Sequence, residues 1–273
     1  MKKELIRIMD AFHKNNMENM ALQVFGFDKE IIYDALVVAP SFSPYKLKLE
    51  EKYDVTTLKE GQYIGGYLVR HKGLNIAWIK IGSSESNLID HVAICAELKI
   101  KKMIFIGAVG ALKKEFEIGD ICTPSYSIAG DNAHTYLQEN MNDYIPYERI
   151  EPSNKDFINK IISDSLNKGI NIKKASVFCT PSIACEYIHL DKIKEFNTDL
   201  IEMETAAFYL MGDLMEVPSI ALLVVSDNSS TGVALVGRTK EEQDKYNNGR
   251  YEILPSLVLD ISSIDYWMVN IIY

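Results

Sequence analysis

Met103-Ile104-Phe105-Ile106-Gly107-Ala108-Val109-Gly110 is the stretch on which the fold turns. Its leading apolar residues read as a strand buried on both faces, running directly into a glycine turn. Just upstream, Leu88, Val92, Ala93, Ala96 and Leu98 recur at helical spacing, and Ser86 is placed to cap that helix. Further back, residues 63–70 and 74–81 alternate apolar with polar or small side chains around His71-Lys72-Gly73, which predicts two strands joined by a tight hairpin. Strand, helix, strand in this order is a parallel crossover.

Outward from this unit the alternation continues. Residues 35–39 read as a short buried strand ended by Pro40, after which Ser43 caps a helix beginning at Pro44. Residues 118–124 form another strand, and the polar segment 130–150, with Asp131, His134 and Tyr136, reads as a loop over one sheet edge. Phe157, Ile158, Ile161, Ile162 and Leu166 mark a helix ending near Gly169. Residues 172–179 are a strand leading into Thr180-Pro181-Ser182-Ile183. A buried strand then hands over to a helix across Asp199-Leu200-Ile201-Glu202-Met203-Glu204-Thr205-Ala206-Ala207-Phe208. The apolar run 218–225 stops at Ser226-Asp227-Asn228-Ser229, and a helical tail from Thr239 is interrupted at Gly249 and Pro255. Helices alternating with strands predict an α/β fold of three α/β/α layers around a central mixed sheet. Residues 1–273 read as a single domain, with 1–30 a helical extension. There Leu5, Ile6, Ile8, Met9 and Phe12 form an amphipathic helix that packs on the body or on a second subunit.

Composition narrows the function. With 29 basic and 38 acidic residues the net charge is -9, which argues against a nucleic-acid surface. Cys95, Cys122, Cys179 and Cys185 make no CxxC pair or zinc spacing and read as core thiols of a reducing, cytoplasmic protein. The basic N-terminus lacks the apolar core of a signal peptide, and no run reaches the roughly 18 apolar residues of a membrane span. No nucleic-acid, membrane or metal partner is therefore expected. A small polar ligand remains.

In open α/β sheets ligands gather beyond the carboxyl ends of strands. Those ends carry Pro40 to Lys46, Gly82 to Ser86 with Ser83, Gly107 to Gly110, Thr180 to Ile183, Glu202 to Glu204, and Ser226 to Asn228. A glutamate in an apolar segment is costly to bury without a partner. Glu204 therefore needs either a basic side chain or a ligand with hydroxyl donors. Asp227 is either the acid of a site or the N-cap of a following helix.

Residues 104–112, Ile118-Gly119-Asp120-Ile121, residues 201–207 and Val225-Ser226-Asp227 together resemble the nucleoside phosphorylase superfamily, most closely its hexameric purine nucleoside and uridine phosphorylases. The likeness runs in order from about residue 34 to 265. It implies cleavage of the bond between a nucleobase and C1′ of ribose, with phosphate or water as acceptor. It further implies that Glu204 accepts hydrogen bonds from the ribose 2′ and 3′ hydroxyls, that Met203 packs on the sugar, and that Asp227 protonates purine N7. Ser83, Glu202, Ser182 and Ile183 would line the sugar and base pocket, and a homo-oligomer, hexamer or dimer, is implied.

The phosphate side departs from the family pattern. Phe105 and Ala108 stand where an arginine and a serine bind phosphate, Gln62 aligns near an arginine given by a neighbouring subunit, and Phe42-Ser43-Pro44 replaces a glycine-aspartate-proline loop. Ser43, Lys46, Gly107 and Ala108 are the residues left to hold phosphate. The expectation is a pentosyltransferase acting on a purine nucleoside with phosphate as co-substrate and no other cofactor. A water-using nucleosidase, for which Glu85 is the nearest acidic substitute, and a non-catalytic nucleoside-binding protein are the alternatives.

Overall fold

The computed structural model of the chain describes residues 1–16 and 19–266. In chain order the strands are β1 (Ile32–Tyr33), β2 (Ala35–Ala39), β3 (Asp54–Glu60), β4 (Gly65–His71), β5 (Leu74–Lys80), β6 (Lys99–Ile100), β7 (Met103–Ala111), β8 (Ile121–Ala129), β9 (Arg149–Ile150), β10 (Ile172–Cys179), β11 (Leu200–Glu202) and β12 (Ser219–Asn228). The helices are α1 (Lys3–His13), α2 (Met20–Phe25), α3 (Glu85–Ile94), α4 (Lys155–Asn167), α5 (Ile183–Lys194), α6 (Thr205–Met215), α7 (Lys240–Asn248) and α8 (Leu254–Ser262). Apart from the short β1–β6 pair, the strands form one mixed sheet in the order β11-β10-β8-β12-β7-β2-β5-β4-β3, with β9 on β8.

Burial explains the order. The most apolar strands, β2, β7 and β12, lie side by side at the centre, where both faces are covered. The polar strand β3 (DVTTLKE) sits at the edge, where one side is open to water. Between β4 and β5 the turn residues Lys72 and Gly73 have φ of 49° and 85°, the paired positive values of a tight hairpin.

The sheet is not open. β11 runs parallel to β10 on one edge and antiparallel to β7 on the other, through Leu200–Ala111 and Ile201–Gly110. Strands β7, β11, β10, β8 and β12 therefore close into a five-membered ring. The expected glycine turn at 107–110 is absent because this closure keeps β7 extended to Ala111.

Other boundaries move for local reasons. Ser84, not Ser86, caps α3, its hydroxyl accepting from the Asn87 amide at 3.1 Å. The segment 130–150 is not bare loop: it holds a 3₁₀ turn at Ala133–Leu137 and the strand β9. Ser43 accepts from the Lys46 amide at 3.1 Å, but the turn that follows is a 3₁₀ turn, Tyr45–Leu47, rather than an α-helix. Gly249 does not break the tail; a π-helical turn, Gly249–Ile253, carries it into α8, where Pro255 sits in the first turn and offers no amide to the turn before it. Cys185 is exposed, unlike the other three cysteines.

α1 packs on its own chain. Leu5 and Met9 are buried, the N-terminal ammonium meets Glu216 at 2.6 Å, and the Lys2 amide bonds Leu214 O at 2.7 Å, at the end of α6. Lys102 is buried at the start of β7 and its ammonium donates to the carbonyls of Ile261 and Ser262, capping α8. No helix among the described residues is long and apolar enough to cross a membrane.

Candidate functional site

A cleft opens beyond the carboxyl ends of β2, β7, β10, β11 and β12, its walls including Ser41, Ser83, Ala108, Thr180, Met203, Glu204 and Asp227. The junction of β11 and α6 supplies its central feature. The first amides of α6 need acceptors, and the N-cap residue Glu204 does not use its side chain for that purpose. Glu202 does. Its carboxylate accepts from the Glu204 amide at 2.7 Å, the Thr205 amide at 3.0 Å, the Thr205 hydroxyl at 2.7 Å and the Cys179 thiol at 2.9 Å. Glu202 borders the cleft, and its oxygens are also engaged within the protein.

Glu204 is the converse. It is 5 % exposed, and its Oε1 has no hydrogen-bond partner among the described residues. Burial, then the Glu202 charge, pushes its pKa well above the ordinary carboxylate value, opposed by the Ser84 and Met203 amides. A buried carboxyl with an idle oxygen at a cleft wall is an acceptor awaiting a donor.

Asp227 lies on β12, not at a helix cap. The register of β12 against β7 slips between Val225 and Asp227, leaving Ser226 as the extra residue of a bulge. Ser226 Oγ donates its one proton to Asp227 Oδ1 at 2.6 Å, with Val109 O at 3.2 Å as the alternative acceptor. The other oxygen, Oδ2, needs Gly110 to lack a side chain: a Cβ there would stand 2.9 Å away. Burial raises the Asp227 pKa, with the Ser226 hydroxyl and Arg238 pulling the other way.

Ser182 caps α5, its hydroxyl accepting from the Cys185 amide at 3.2 Å, so it shapes the pocket without lining it. That cap places Ile183, Glu186 and Tyr187 on the cleft wall. Glu186 and Tyr187 escaped the sequence reading; the serine-led turn after β10 was the signal for them. Burial, then the nearby Asp227 charge, carries the Glu186 pKa to about 7.

The expected phosphate ligands divide. Gly107 and Ala108 line the cleft, and Ser43 and Lys46 do not. The Lys46 ammonium lies 5.8 Å from the Phe42 ring, and burial, Arg250 and Lys80 lower its pKa. Phe105 is 1 % exposed and packs on Phe208 at 5.5 Å, so it belongs to the core. Gln62 is exposed and donates to the Tyr63 hydroxyl at 3.1 Å. Glu85 is buried away from the cleft lining, 3.5 Å from His134, which is 3.4 Å from Glu148 on its other side. Burial works against charging His134, yet Glu85 and Glu148 together hold its pKa above the usual value. Glu85 is thus no substitute base for the cleft.

All four charged side chains lining the cleft, Glu186, Glu202, Glu204 and Asp227, are carboxylates. Such a wall can accept donors, hold a proton and steady a developing cation. No group of His, Cys, Asp and Glu able to hold a metal occurs among the described residues.

A family model described as the phosphorylase superfamily matches residues 41–250. An aminodeoxyfutalosine nucleosidase of Campylobacter jejuni is 29% identical over 168 residues, 60% of this chain and 72% of that one. A DeoD-type purine nucleoside phosphorylase of Alkaliphilus metalliredigens is 26% identical over 180 residues, 65% of this chain and 73% of that one. The crystal structure of Toxoplasma gondii purine nucleoside phosphorylase in complex with immucillin-H superposes with a TM-score of 0.72 at 14% identity, covering 90% of this chain and 97% of that one, a likeness of fold.

Proposed function

The chain belongs to the phosphorylase superfamily, and within it we propose that it hydrolyses the N-glycosidic bond of a purine nucleoside, with water as the acceptor. Its relatives include both a nucleosidase and a phosphorylase, so the choice of acceptor has to come from this chain's own residues. The observation that carries the reading is the all-carboxylate lining of the cleft. A phosphate dianion in a closed site needs fixed cations and donors to replace its water, and no Lys or Arg is among the described residues lining the cleft.

In this reading the two ribose hydroxyls donate to Glu204, whose idle oxygen gains a partner, while Met203 packs on the sugar. The bond from C1′ to the base breaks with its electron pair going to the base, and Asp227 gives N7 the proton that neutralises it. Burial shifts Asp227 in the direction an acid needs, towards its protonated form. Water adds its oxygen to C1′ and releases a proton, which restores the acid.

One observation favours phosphorolysis instead. Lys46 and Arg250 both lie against the Phe42 ring, and Lys80 is near enough to act on Lys46. Next to the Pro40–Ser41 wall, that cluster could draw phosphate towards the cleft. The test is incubation with adenosine and inosine in phosphate-free buffer and in phosphate. Free ribose and base without phosphate are expected; base release that strictly requires phosphate, with ribose 1-phosphate as product, overturns hydrolysis.

A further inference from the structure

Glu186 is the one cleft carboxylate that neither the hydrolytic step nor the architecture uses. It sits in the first turn of α5, which Ser182 caps, and lines the same cleft as Asp227. Burial and the Asp227 charge are what perturb it, with no hydrogen bond contributing among the described residues. Asp227 has Oδ1 engaged by the Ser226 hydroxyl, and its Oδ2 lies beside Gly110 in the cleft wall. Two carboxyl groups thus face one cleft, each with acceptor capacity to spare.

We propose that Glu186 and Asp227 act as a base-reading pair, and that Glu186 makes the cleft select 6-aminopurines over 6-oxopurines. The proposal rests on the nucleoside-cleaving reading and is independent of whether water or phosphate is the acceptor. The chemistry follows from donor and acceptor counting. A 6-aminopurine offers an acceptor at N7 and a donor at its amino group, which one carboxyl and one carboxylate match. A 6-oxopurine offers two acceptors, N7 and O6, so one ionised oxygen would face a lone pair without a hydrogen between them. An unmatched polar pair in a desolvated pocket costs about 1–3 kcal/mol, or roughly 5- to 150-fold in selectivity.

The electrostatics suit one neutral and one ionised member. Like charges disfavour double ionisation, and Glu186 titrates at about 7 beside Asp227, which burial also raises. Other groups bear on the pair: Tyr187 adjoins Glu186 on α5, Arg238 lowers Asp227, and Glu202 and Glu204 line the cleft from β11 and α6.

The experiment compares kcat/KM for adenosine and inosine in wild type and Glu186→Gln, with and without phosphate. It also compares thermal stabilisation by free adenine and free hypoxanthine, which needs no turnover. The expected wild-type preference for adenosine is about 10- to 100-fold. Glutamine can turn its amide N–H towards O6, so in Glu186→Gln the ratio should fall at least about tenfold, chiefly through a lower KM for inosine. The adenine–hypoxanthine difference in melting temperature should shrink with it. A wild type that favours inosine or treats both alike, an unchanged ratio in Glu186→Gln, or no stabilisation by either base overturns the proposal. Base release that requires phosphate but keeps a Glu186-dependent preference for adenosine overturns hydrolysis alone.

Discussion

The cleft and the ground beside it are built on opposite electrostatic terms. Where β11, α5, α6 and β12 meet, four carboxylates converge, one of them spent on a helix N-terminus and one holding an unpartnered oxygen. Around Phe42, a few residues beyond the end of β2, Lys46 and Arg250 gather instead, with Lys80 acting on Lys46, outside the cleft lining. Under the proposed function the carboxylate region handles sugar and base while the cations beside it bear on the acceptor, so the two properties should be breakable one at a time.

The largest effect is expected from Asp227→Asn, which cannot give up a proton. It should lower kcat by about 10²–10⁴-fold with little change in KM. A loss confined to KM would make Asp227 a binding group only. Glu204→Ala comes next: losing an acceptor for two hydroxyls should cost about 3–4 kcal/mol, or some 10²–10³-fold in kcat/KM, while free-base binding is unchanged. Equal losses for nucleoside and free base would remove its ribose role.

Glu202→Ala sharpens the contrast between two glutamates two residues apart. Because Glu202 serves the first amides of α6, the variant should lose about 2–4 kcal/mol of stability in thermal or denaturant unfolding. An unshifted melting temperature with lost nucleoside binding would reverse the assignment. A smaller effect concerns pH. The folded pKa of Glu204 lies well above its unfolded value near 4.5, so the native state holds a proton that the unfolded chain has released. Its contribution to stability is full below about pH 4.5 and is lost as pH rises through the folded value. Glu204→Gln should flatten that decline; an equally steep decline in the variant would locate the titration elsewhere. Smallest of all, Lys46→Ala should leave base release in phosphate-free buffer within about twofold of wild type, since the side chain is outside the cleft lining. A larger loss there would tie the basic region to the chemistry.

Much of this was legible in the chain. Local patterns located β2, β10, α4 and α6, and the Glu204 and Asp227 positions, because each depends on a few neighbouring residues. What escaped depends on distance. β11 has three residues, and nothing in Leu200-Ile201-Glu202 announces that its second edge meets Ala111 and Gly110. α5 was missed because IACEYIHLDKIK has no apolar stripe, only Ile193 being buried, and with it went Glu186. The edge strand β3 was hidden by its polarity. The idle oxygen of Glu204 could not be read at all, since it follows from which amides Glu202 captures first.

The ring closure has a mechanical consequence. Because β11 is hydrogen-bonded along both edges, the segment that presents Glu204 has no free side on which to swing. The more exposed members of the cleft wall are Ile183 and Tyr187 on α5 and Leu235 after β12, where movement meets least packing. Under the proposed function the sugar side would be the fixed anvil and the base side the moving jaw. Amide exchange should follow the same division, slowest at Leu200 and Ile201 and fastest along the first turn of α5; comparable rates at the two would mean that the clamp yields.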